Sequence, residues 1–122
     1  NNKLIIKIID FGLANEFDNN IFISNLKIGK VNYMSCECYN NEYYDARLND
    51  IHACGVLLFM LMSGLKPYNV PSIYNDMEYK IISQGLLFEL LIYKNALKYF
   101  TKNCVNLIHY MLKPQKHRIN MN

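Results

Sequence analysis

The sequence predicts a mainly α fold in which one strand and a long loop precede a series of helices. Residues 3–9 alternate apolar side chains and are rich in β-branched residues, which is typical of a strand. Residues 13–32 show no sustained period, whereas helix-capping residues precede the apolar segments farther along the chain. With 122 residues, 52% of them hydrophobic, the chain has the size of one small domain that can bury a core.

The predicted strand has apolar side chains on both faces and ends at Phe11 and Gly12. The long loop that follows contains an Asp-Asn-Asn run at residues 18–20, which is typical of a turn. Loops of this length inside a compact domain are usually functional or mobile. We therefore expect this segment to carry a function rather than to serve only as a connection.

The first predicted helix starts from a cap at Asn49 or Asp50 and runs to about Ser63. Gly64 follows at the position where a left-handed C-cap is favoured. The apolar run 51–62 covers nearly the whole circumference of this helix, so we expect burial on all sides. Its length of about 18 Å is too short for the roughly 30 Å hydrocarbon core of a bilayer, and no membrane span is predicted.

The segments after this helix are also predicted to be helical or closely packed. Ser72 is the expected cap of a helix that ends before Gly85, and the apolar run 86–92 is compatible with either a short helix or a packed loop. Thr101 is expected to cap an amphipathic helix that Pro114 ends. The predicted buried face of that helix consists of Cys104, Leu107, Ile108, Met111 and Leu112.

Charge and cysteine usage argue against several kinds of site. The 13 basic and 10 acidic side chains give a net charge of +3 with no dense Lys/Arg cluster, which favours an ordinary mixed surface over a nucleic-acid or membrane surface. The cysteines are Cys36, Cys38, Cys54 and Cys104. Only one residue separates the first two, whereas zinc sites typically have two to four, so the sequence favours reduced thiols of an intracellular protein.

The triplet Asp10-Phe11-Gly12, directly after the predicted strand, is the strongest chemical signal in the sequence. A carboxylate is a hard oxygen ligand that suits Mg²⁺, and such an ion can neutralise phosphate oxygens. The aromatic side chain beside it can pack inward or swing out, and glycine gives the backbone the freedom for such a hinge. Alone, the triplet also fits a simple turn in which Asp10 caps the strand end, so its meaning depends on the residues downstream.

Those downstream residues occur in a distinctive order. They are Gly29, the run Ser35-Cys36-Glu37, Asp50 together with Gly55, and Arg118. With these gaps, the whole chain, residues 1–122, resembles the C-terminal (large) lobe of a eukaryotic-type protein kinase domain, in incomplete form. The resemblance implies part of the α+β kinase fold and a parent enzyme of the serine/threonine class that uses ATP and Mg²⁺.

The resemblance also implies roles for individual residues. Asp10, Phe11 and Gly12 would lie at the ATP site, and Asp10 would bind Mg²⁺. Residues 13–37 would form the activation segment, on which a protein substrate docks. Ser24, which is the only Ser or Thr within residues 13–34, is the expected regulatory phosphosite. The residues with an implied structural role are Glu37, which would pair with Arg118, Asp50, which would accept hydrogen bonds from the catalytic loop, and Gly55 of the buried central helix.

Four positions depart from the kinase pattern: Lys30 replaces a Thr, Ser35 an Ala, Cys36 a Pro and His52 a Trp. The usual threonine hydroxyl helps to assemble the catalytic site, so a lysine there either attracts an acidic substrate or accompanies a loss of activity. His52 could act as a catalytic base, but a helical histidine beside an apolar run is more often a core residue. The Gly-Lys-x-x-Tyr-Met-Ser pattern at residues 29–35 resembles the FIKK-type kinases of parasites.

Several segments of a complete kinase domain have no counterpart in the sequence. It contains no glycine-rich phosphate loop, no nucleotide-contacting strand lysine and no H-R-D-x-x-x-x-N loop, so no catalytic residue is assigned. We therefore expect this chain alone to lack kinase activity. The alternative is a pseudokinase or kinase-like binding module, and an H-R-D run upstream of Asp10 in the parent protein would favour the enzyme. A third interpretation, an unrelated helical domain, holds only if the spacing of these motifs is a coincidence.

Overall fold

The computed structural model describes residues 3–17 and 23–120, and these form five α-helices and two short strands. The helices are α1 (Cys36–Tyr39), α2 (Ala46–Ser63), α3 (Met77–Ser83), α4 (Leu87–Tyr93) and α5 (Lys102–Leu112). The strands are β1 (Ile23–Ser24) and β2 (Tyr44–Asp45). Helices dominate the described chain, which confirms the prediction of a mainly α fold with a small β component.

The prediction of a strand at residues 3–9 is wrong. These residues form no regular secondary structure, and their side chains are exposed. A strand is stable only when a neighbour satisfies its backbone hydrogen bonds, and none of the described residues pairs with this segment. The antiparallel pair is formed instead by β1 and β2, with Ile23 opposite Asp45 and Ser24 opposite Tyr44.

Residues 13–32 are mostly irregular, as predicted, but they contain β1 and a 3₁₀ turn. The turn expected at residues 18–20 lies outside the described residues. The 3₁₀ turn is Val31–Tyr33, and the Tyr33 hydroxyl contacts Met60 Sδ on α2 at 3.6 Å. The small sheet and helix α2 therefore hold this long segment at two separate places.

Helix α2 begins one turn earlier than predicted. Its N-cap is Asp45, whose carboxylate accepts a hydrogen bond from the Arg47 N–H at 2.9 Å. The predicted cap at Asn49 or Asp50 is therefore wrong. Several polar residues precede the apolar run, so the sequence offers more than one suitable cap. Asp45 lies at the end of β2, which pairs with β1, and the helix begins directly after it.

Helix α2 ends at Ser63 as predicted, and Gly64 takes the left-handed C-cap conformation with a φ of 72°. The expected burial on all sides is wrong. One face packs mainly against α5, whereas the opposite face leaves apolar side chains in solvent, so that Leu61 is 74% exposed. The exposed row on this face consists of Asp50, Cys54, Leu57 and Leu61. A helix that is apolar all round requires neighbours on every side, and the described residues supply them on only one.

The N-cap of helix α3 is Asp76, so the predicted cap at Ser72 is wrong. Asp76 Oδ1 accepts a hydrogen bond from the Tyr79 N–H at 2.8 Å. Its Oδ2 accepts from the N–H groups of Asn69 and Val70 at 2.8 and 3.2 Å. This buried carboxylate therefore fixes the loop that follows α2 against the start of α3.

The last two helices agree better with the sequence. The run 86–92, for which the sequence leaves a short helix and a packed loop open, is helical, because α4 occupies it. Thr101 caps α5 as predicted, and its Oγ1 accepts a hydrogen bond from the Cys104 N–H at 3.3 Å. The buried face of α5 is rotated slightly from the predicted one, since Leu107 is 44% exposed while Val105 is buried.

Helices α2 and α5 approach closely because Gly55 lies at their contact. A Cβ at position 55 would lie 2.9 Å from Met111 Cβ and 3.1 Å from Leu112 Cδ2. The core around this contact is formed by buried side chains of α2 to α5 and of the loop after α2. Among them are Val56, Phe59, Tyr68, Leu90, Leu91 and Ile108.

We expect Gly55→Ala to destabilise the fold. Overpacking costs about 1–3 kcal/mol, and it exceeds the gain of about 1 kcal/mol that alanine has over glycine in a helix, because Met111 Cβ is fixed to the backbone. Urea unfolding of the full-length protein measures the change. Asn106→Ala, at an exposed position of α5, is the control and should change the free energy of unfolding by less than about 0.5 kcal/mol. A more stable Gly55→Ala variant would contradict the close packing of α2 on α5.

Candidate functional site

Asp10 precedes a 3₁₀ turn, Phe11–Leu13, and caps it. The Asp10 carboxylate accepts a long hydrogen bond of 3.5 Å from the Gly12 N–H. Its backbone is left-handed, with a φ of 62°, a conformation that Asp tolerates better than most side chains. The sequence places the freedom for a hinge at Gly12, but the left-handed residue of the triplet is Asp10. The carboxylate is exposed and keeps oxygen lone pairs available for a ligand.

The structure brings Asp10 into a cleft of about 450 Å³. Phe11 and Lys30 line the same cleft, and so does Asp50 on α2. Partial burial raises the pKa of the Asp50 carboxyl. Residues that lie far apart in the sequence, among them the candidate metal ligand and the lysine that departs from the kinase pattern, therefore share one site.

Ser24 lies in β1 and also lines this cleft. Its Oγ accepts a hydrogen bond from the Leu26 N–H at 3.2 Å. The Tyr44 hydroxyl, from β2, donates to the Leu26 carbonyl at 2.6 Å. The expected phosphosite is thus held in a small hydrogen-bonded turn beside the cleft.

Glu37 and Arg118 are brought together by the fold although 80 residues separate them in the sequence. Arg118 Nη2 lies 3.2 and 3.1 Å from the two carboxylate oxygens of Glu37, and both side chains are nearly inaccessible to solvent. Arg118 also donates from Nε to the Lys113 carbonyl and from Nη1 to the Leu48 carbonyl, each at 2.9 Å. One guanidinium thereby joins α1, α2 and the segment after α5.

The charge of Glu37 is stabilised inside this pair. Burial alone would raise the pKa of the Glu37 carboxyl, but Arg118 and hydrogen bonds that include the one from the Gln115 N–H outweigh it, so the pKa is lower than usual. Gln115 also accepts a hydrogen bond through Oε1 from the Asp45 N–H at 2.7 Å. Asp45, the residue before α2, is therefore hydrogen-bonded to the same network.

Ser35 and Asn49 form a second contact that sequence reasoning missed. The N–H and the hydroxyl of Ser35 both donate to Asn49 Oδ1, at 3.1 and 2.9 Å. Ser35 Oγ also caps α1 by accepting from the Cys38 N–H at 3.5 Å. The serine that replaces the usual alanine of the kinase pattern thus binds the end of the activation-like segment to α2. Asn49, beside Asp50 on α2, gave no signal in the sequence that it would do so.

His52 is fully buried, as expected for a core residue. Its Nε2 lies 2.6 Å from the Tyr68 hydroxyl oxygen, and that hydroxyl contacts the Met34 carbonyl at 3.3 Å. Burial lowers the pKa of His52 to about 3, and the positive charge of Arg118 contributes. A neutral imidazole whose Nε2–H donates to Tyr68, while Tyr68 donates to Met34, satisfies this chain of contacts. It fixes Met34, just before α1, against the core.

Disulfide bonds, clusters of metal ligands and membrane-spanning helices find no support within residues 3–17 and 23–120. All four cysteines carry free thiols. Across these residues, no group of three or more His, Cys, Asp or Glu side chains has the arrangement to hold a metal ion. None of the helices described combines the length and the apolar character needed to cross a membrane. The two features that stand out are therefore the Asp10 cleft and the Glu37–Arg118 network.

Sequence comparisons agree on one family. The family model for the protein kinase domain matches residues 1–122. CBL-interacting protein kinase 24 of Oryza sativa subsp. japonica is 28% identical over 112 residues, covering 89% of this chain and 22% of that protein. Serine/threonine-protein kinase CHK1 of Saccharomyces cerevisiae is 39% identical over 75 residues, covering 58% of this chain and 14% of that protein. Calcium-dependent protein kinase 4 of Plasmodium falciparum is 29% identical over 135 residues, covering 98% of this chain and 25% of that protein.

The chain spans about a quarter or less of the length of these relatives. Their shared class is the protein kinases, and it agrees with the order of the Asp10 triplet, Glu37, Asp50 and Arg118 along the chain. The predicted resemblance to the kinase superfamily is confirmed at this level. Since the match to the protein kinase domain extends over every residue from 1 to 122, the chain belongs to the protein kinase family.

Proposed function

We propose that the chain forms part of the large lobe of a serine/threonine-type protein kinase that transfers the γ-phosphoryl group of ATP to a protein substrate. The observation that carries this proposal is the cleft that Asp10 and Phe11 share with Lys30 and Asp50. In this assignment, residues 13–37 are the activation segment, and Glu37 and Arg118 fix its end to the rest of the lobe.

The side chains at the cleft fit an ATP-bound Mg²⁺ ion. Mg²⁺ is usually held by one or two carboxylates, with water and substrate phosphates as the remaining ligands. Asp10 offers such a carboxylate, exposed and bonded only weakly to the Gly12 N–H. When bound, the ion would neutralise the charge of the phosphate oxygens. Asp10 is therefore the proposed metal ligand, and Phe11 and Gly12 lie beside it at the proposed nucleotide site.

The proposed activation segment would contribute to catalysis by positioning the protein substrate. Phosphoryl transfer depends mainly on alignment and on charge neutralisation. The contacts of Ser35 with Asn49 and of Glu37 with Arg118 hold the end of the activation segment against the lobe. Lys30, exposed at the cleft, would favour a substrate that carries acidic side chains near its phosphorylated residue.

A pseudokinase or kinase-like binding module is the second candidate, and Lys30 is the observation that favours it. The lysine lies in the same cleft as Asp10, at the position where a threonine would help to assemble a catalytic site. The sequence upstream of Asp10 in the full-length protein separates the two candidates. An H-R-D-x-x-x-x-N run there favours the enzyme, whereas a kinase-like frame without it favours the binding module. In either case, the 122 residues alone should phosphorylate no protein.

Two finer assignments stay predictions. Ser24 is the proposed regulatory phosphosite, because phosphorylation would add strong negative charge to the hydrogen-bonded turn that it forms with Leu26. Membership of the FIKK-type group is predicted only from the pattern at residues 29–35. Mass spectrometry of the protein purified from its own cells would identify a phosphate on Ser24, and the full-length sequence would decide the subfamily.

In the full-length protein, Asp10→Asn is expected to reduce phosphoryl transfer from ATP to a generic protein substrate to background. The amide keeps the shape of the side chain but cannot supply the negative oxygen that Mg²⁺ requires. Transfer of labelled γ-phosphate measures the effect. Glu89→Gln, an exposed carboxyl on α4 that does not line this cleft, is the control and should keep wild-type activity. Undiminished transfer by the Asp10→Asn protein would remove the metal role of this residue.

A further inference from the structure

A second cleft, which we call the α3 cleft, lies between residues 36–42 and residues 71–79. Its volume is about 370 Å³, and it shares no lining residue with the Asp10 cleft. Its walls come from α1 and the residues just after it, and from the loop that enters α3, so two separate segments of the chain form it. The proposed phosphoryl transfer leaves it without a role.

The walls of the α3 cleft combine apolar side chains with the polar Asn40, Glu42 and Ser72. We call its buried lining residues, Pro71, Ser72 and Tyr79, the base of the cleft, whereas Ile73 is 45% and Tyr74 91% exposed. Cys36 also lines it, and burial together with the negative charge of Glu37 raises the pKa of its thiol. The base is therefore neutral, and it suits an apolar side chain of a partner.

The rim of the same cleft carries an uncompensated negative charge. Glu42 is exposed there, and its carboxylate accepts a hydrogen bond from the Asn40 side-chain amide at 3.3 Å. In the described part of the chain, no ion pair involves Glu42, whereas Glu37 nearby is paired with Arg118. The electrostatic complement of this rim is a cation, and the exposed ring of Tyr74 offers a further favourable contact to a guanidinium.

We propose that the α3 cleft binds an extended segment of a partner protein in which an aliphatic side chain lies next to an arginine. The aliphatic side chain occupies the base, and the arginine contacts Glu42 and the ring of Tyr74. Arginine suits this rim better than lysine because its planar group can stack on an aromatic ring while it donates to a carboxylate. Binding of such a segment does not require ATP or phosphoryl transfer.

Fluorescence anisotropy with four labelled peptides tests this proposal on the full-length protein without nucleotide. The peptides share a Gly/Asn background that contains no hydroxyl side chain, and they differ only in a central pair: Leu-Arg, Leu-Glu, Ala-Arg or Ala-Glu. The Leu-Arg peptide is expected to bind about tenfold more tightly than the Leu-Glu or Ala-Arg peptide. Because none of the peptides can accept a phosphoryl group, the result is independent of the proposed kinase activity.

Two variants locate the binding. Tyr74→Ala should weaken the Leu-Arg peptide by about tenfold, and Glu42→Gln should weaken it roughly two- to fivefold and reduce the preference for Arg over Glu. The matched controls are Tyr93→Ala, an exposed tyrosine on α4, and Glu89→Gln, an exposed carboxyl on the same helix; neither lines the cleft. Equal affinity for all four peptides, no binding of any of them, or wild-type affinity of the Tyr74→Ala protein would overturn the proposal.

Discussion

Arg118→Met is expected to cost about 3–5 kcal/mol of the free energy of unfolding of the kinase domain that contains this chain. Methionine fills a similar volume but leaves the buried Glu37 carboxylate without its positive partner. The Lys113 and Leu48 carbonyls also lose their donors at Nε and Nη1. Removing one member of a buried, hydrogen-bonded ion pair is costly because the remaining charge stays desolvated. Chemical denaturation of the wild-type and variant domains measures this loss.

The structure predicts an unequal effect for the two partners. Glu37→Gln removes the charge but keeps an oxygen that can accept from the Gln115 N–H, so it should destabilise the domain less than Arg118→Met does. The double variant should cost less than the sum of the two single variants, since the pair is in direct contact. Arg47→Met is the control, because the Arg47 side chain is 45% exposed and its ion pair with Asp45 should contribute less than about 1 kcal/mol. Strictly additive single costs would show that Glu37 and Arg118 do not interact.

The same pair predicts a pH dependence with a definite sign. The pKa of Glu37 is lower in the folded state than in the unfolded chain, where a glutamate titrates near pH 4.3. Its contribution to stability is therefore fully present above about pH 4.3 and is lost as the pH falls through the folded pKa. His52 acts in the same direction, since it is buried in neutral form with a pKa of about 3. Glu37→Gln should flatten the acid limb of the stability curve and leave the part due to His52.

Features determined by neighbouring residues could be predicted from the sequence, and features determined by distant pairing could not. Gly64 and Thr101 were assigned correctly because a cap depends on a few adjacent residues. The prediction of a strand at residues 3–9 is wrong because an alternating pattern shows only that a strand is possible, whereas hydrogen bonding to a neighbouring strand decides whether it forms. The cap of α3 at Asp76 could have been found, since an aspartate directly before Met77 is a local signal. Ser72 is also a favourable cap residue, but it lies five residues before Met77 and does not cap α3.

The same distinction between local and distant features applies to the candidate site. The kinase family could be predicted from the sequence alone, because the Asp10 triplet, Glu37 and Arg118 follow one another in the order typical of that family. The hydrogen bonds between Ser35 and Asn49 could be found only from the fold, because the partners lie 14 positions apart and neither matches a motif. The α3 cleft could also be found only from the fold, since its walls come from two separate segments that carry no recognisable sequence motif.

The isolated 122-residue chain is expected to form a dye-binding, weakly cooperative state rather than a stable monomer. Apolar surface is exposed in two places, and each 100 Å² of it left in water costs about 2.5 kcal/mol. On α2, Leu57 is 46% and Leu61 74% exposed, and in segment 3–9, Leu4 is 94% and Ile6 95% exposed. Against a typical stability of about 5–15 kcal/mol for a small domain, such exposure is a large penalty. Segment 3–9 is rich in β-branched residues and pairs with none of the described residues, so it also favours association between copies.

Fluorescence of a hydrophobic dye, together with thermal unfolding followed by near-UV circular dichroism, tests this expectation. The isolated chain should bind the dye and show no sharp transition, whereas the proposed lobe assignment predicts that the full-length protein binds little dye, with the α2 face covered by other segments. Replacing Leu57 by Gln and Leu61 by Lys should lower dye binding of the isolated chain, since both side chains lie on the exposed row and contribute little to the core. The same lobe assignment predicts that the double substitution destabilises the full-length protein, in which this face would be buried. A soluble monomer of the isolated chain with a sharp transition would show that these 122 residues are a complete domain, and the assignment as part of a kinase lobe would have to be withdrawn.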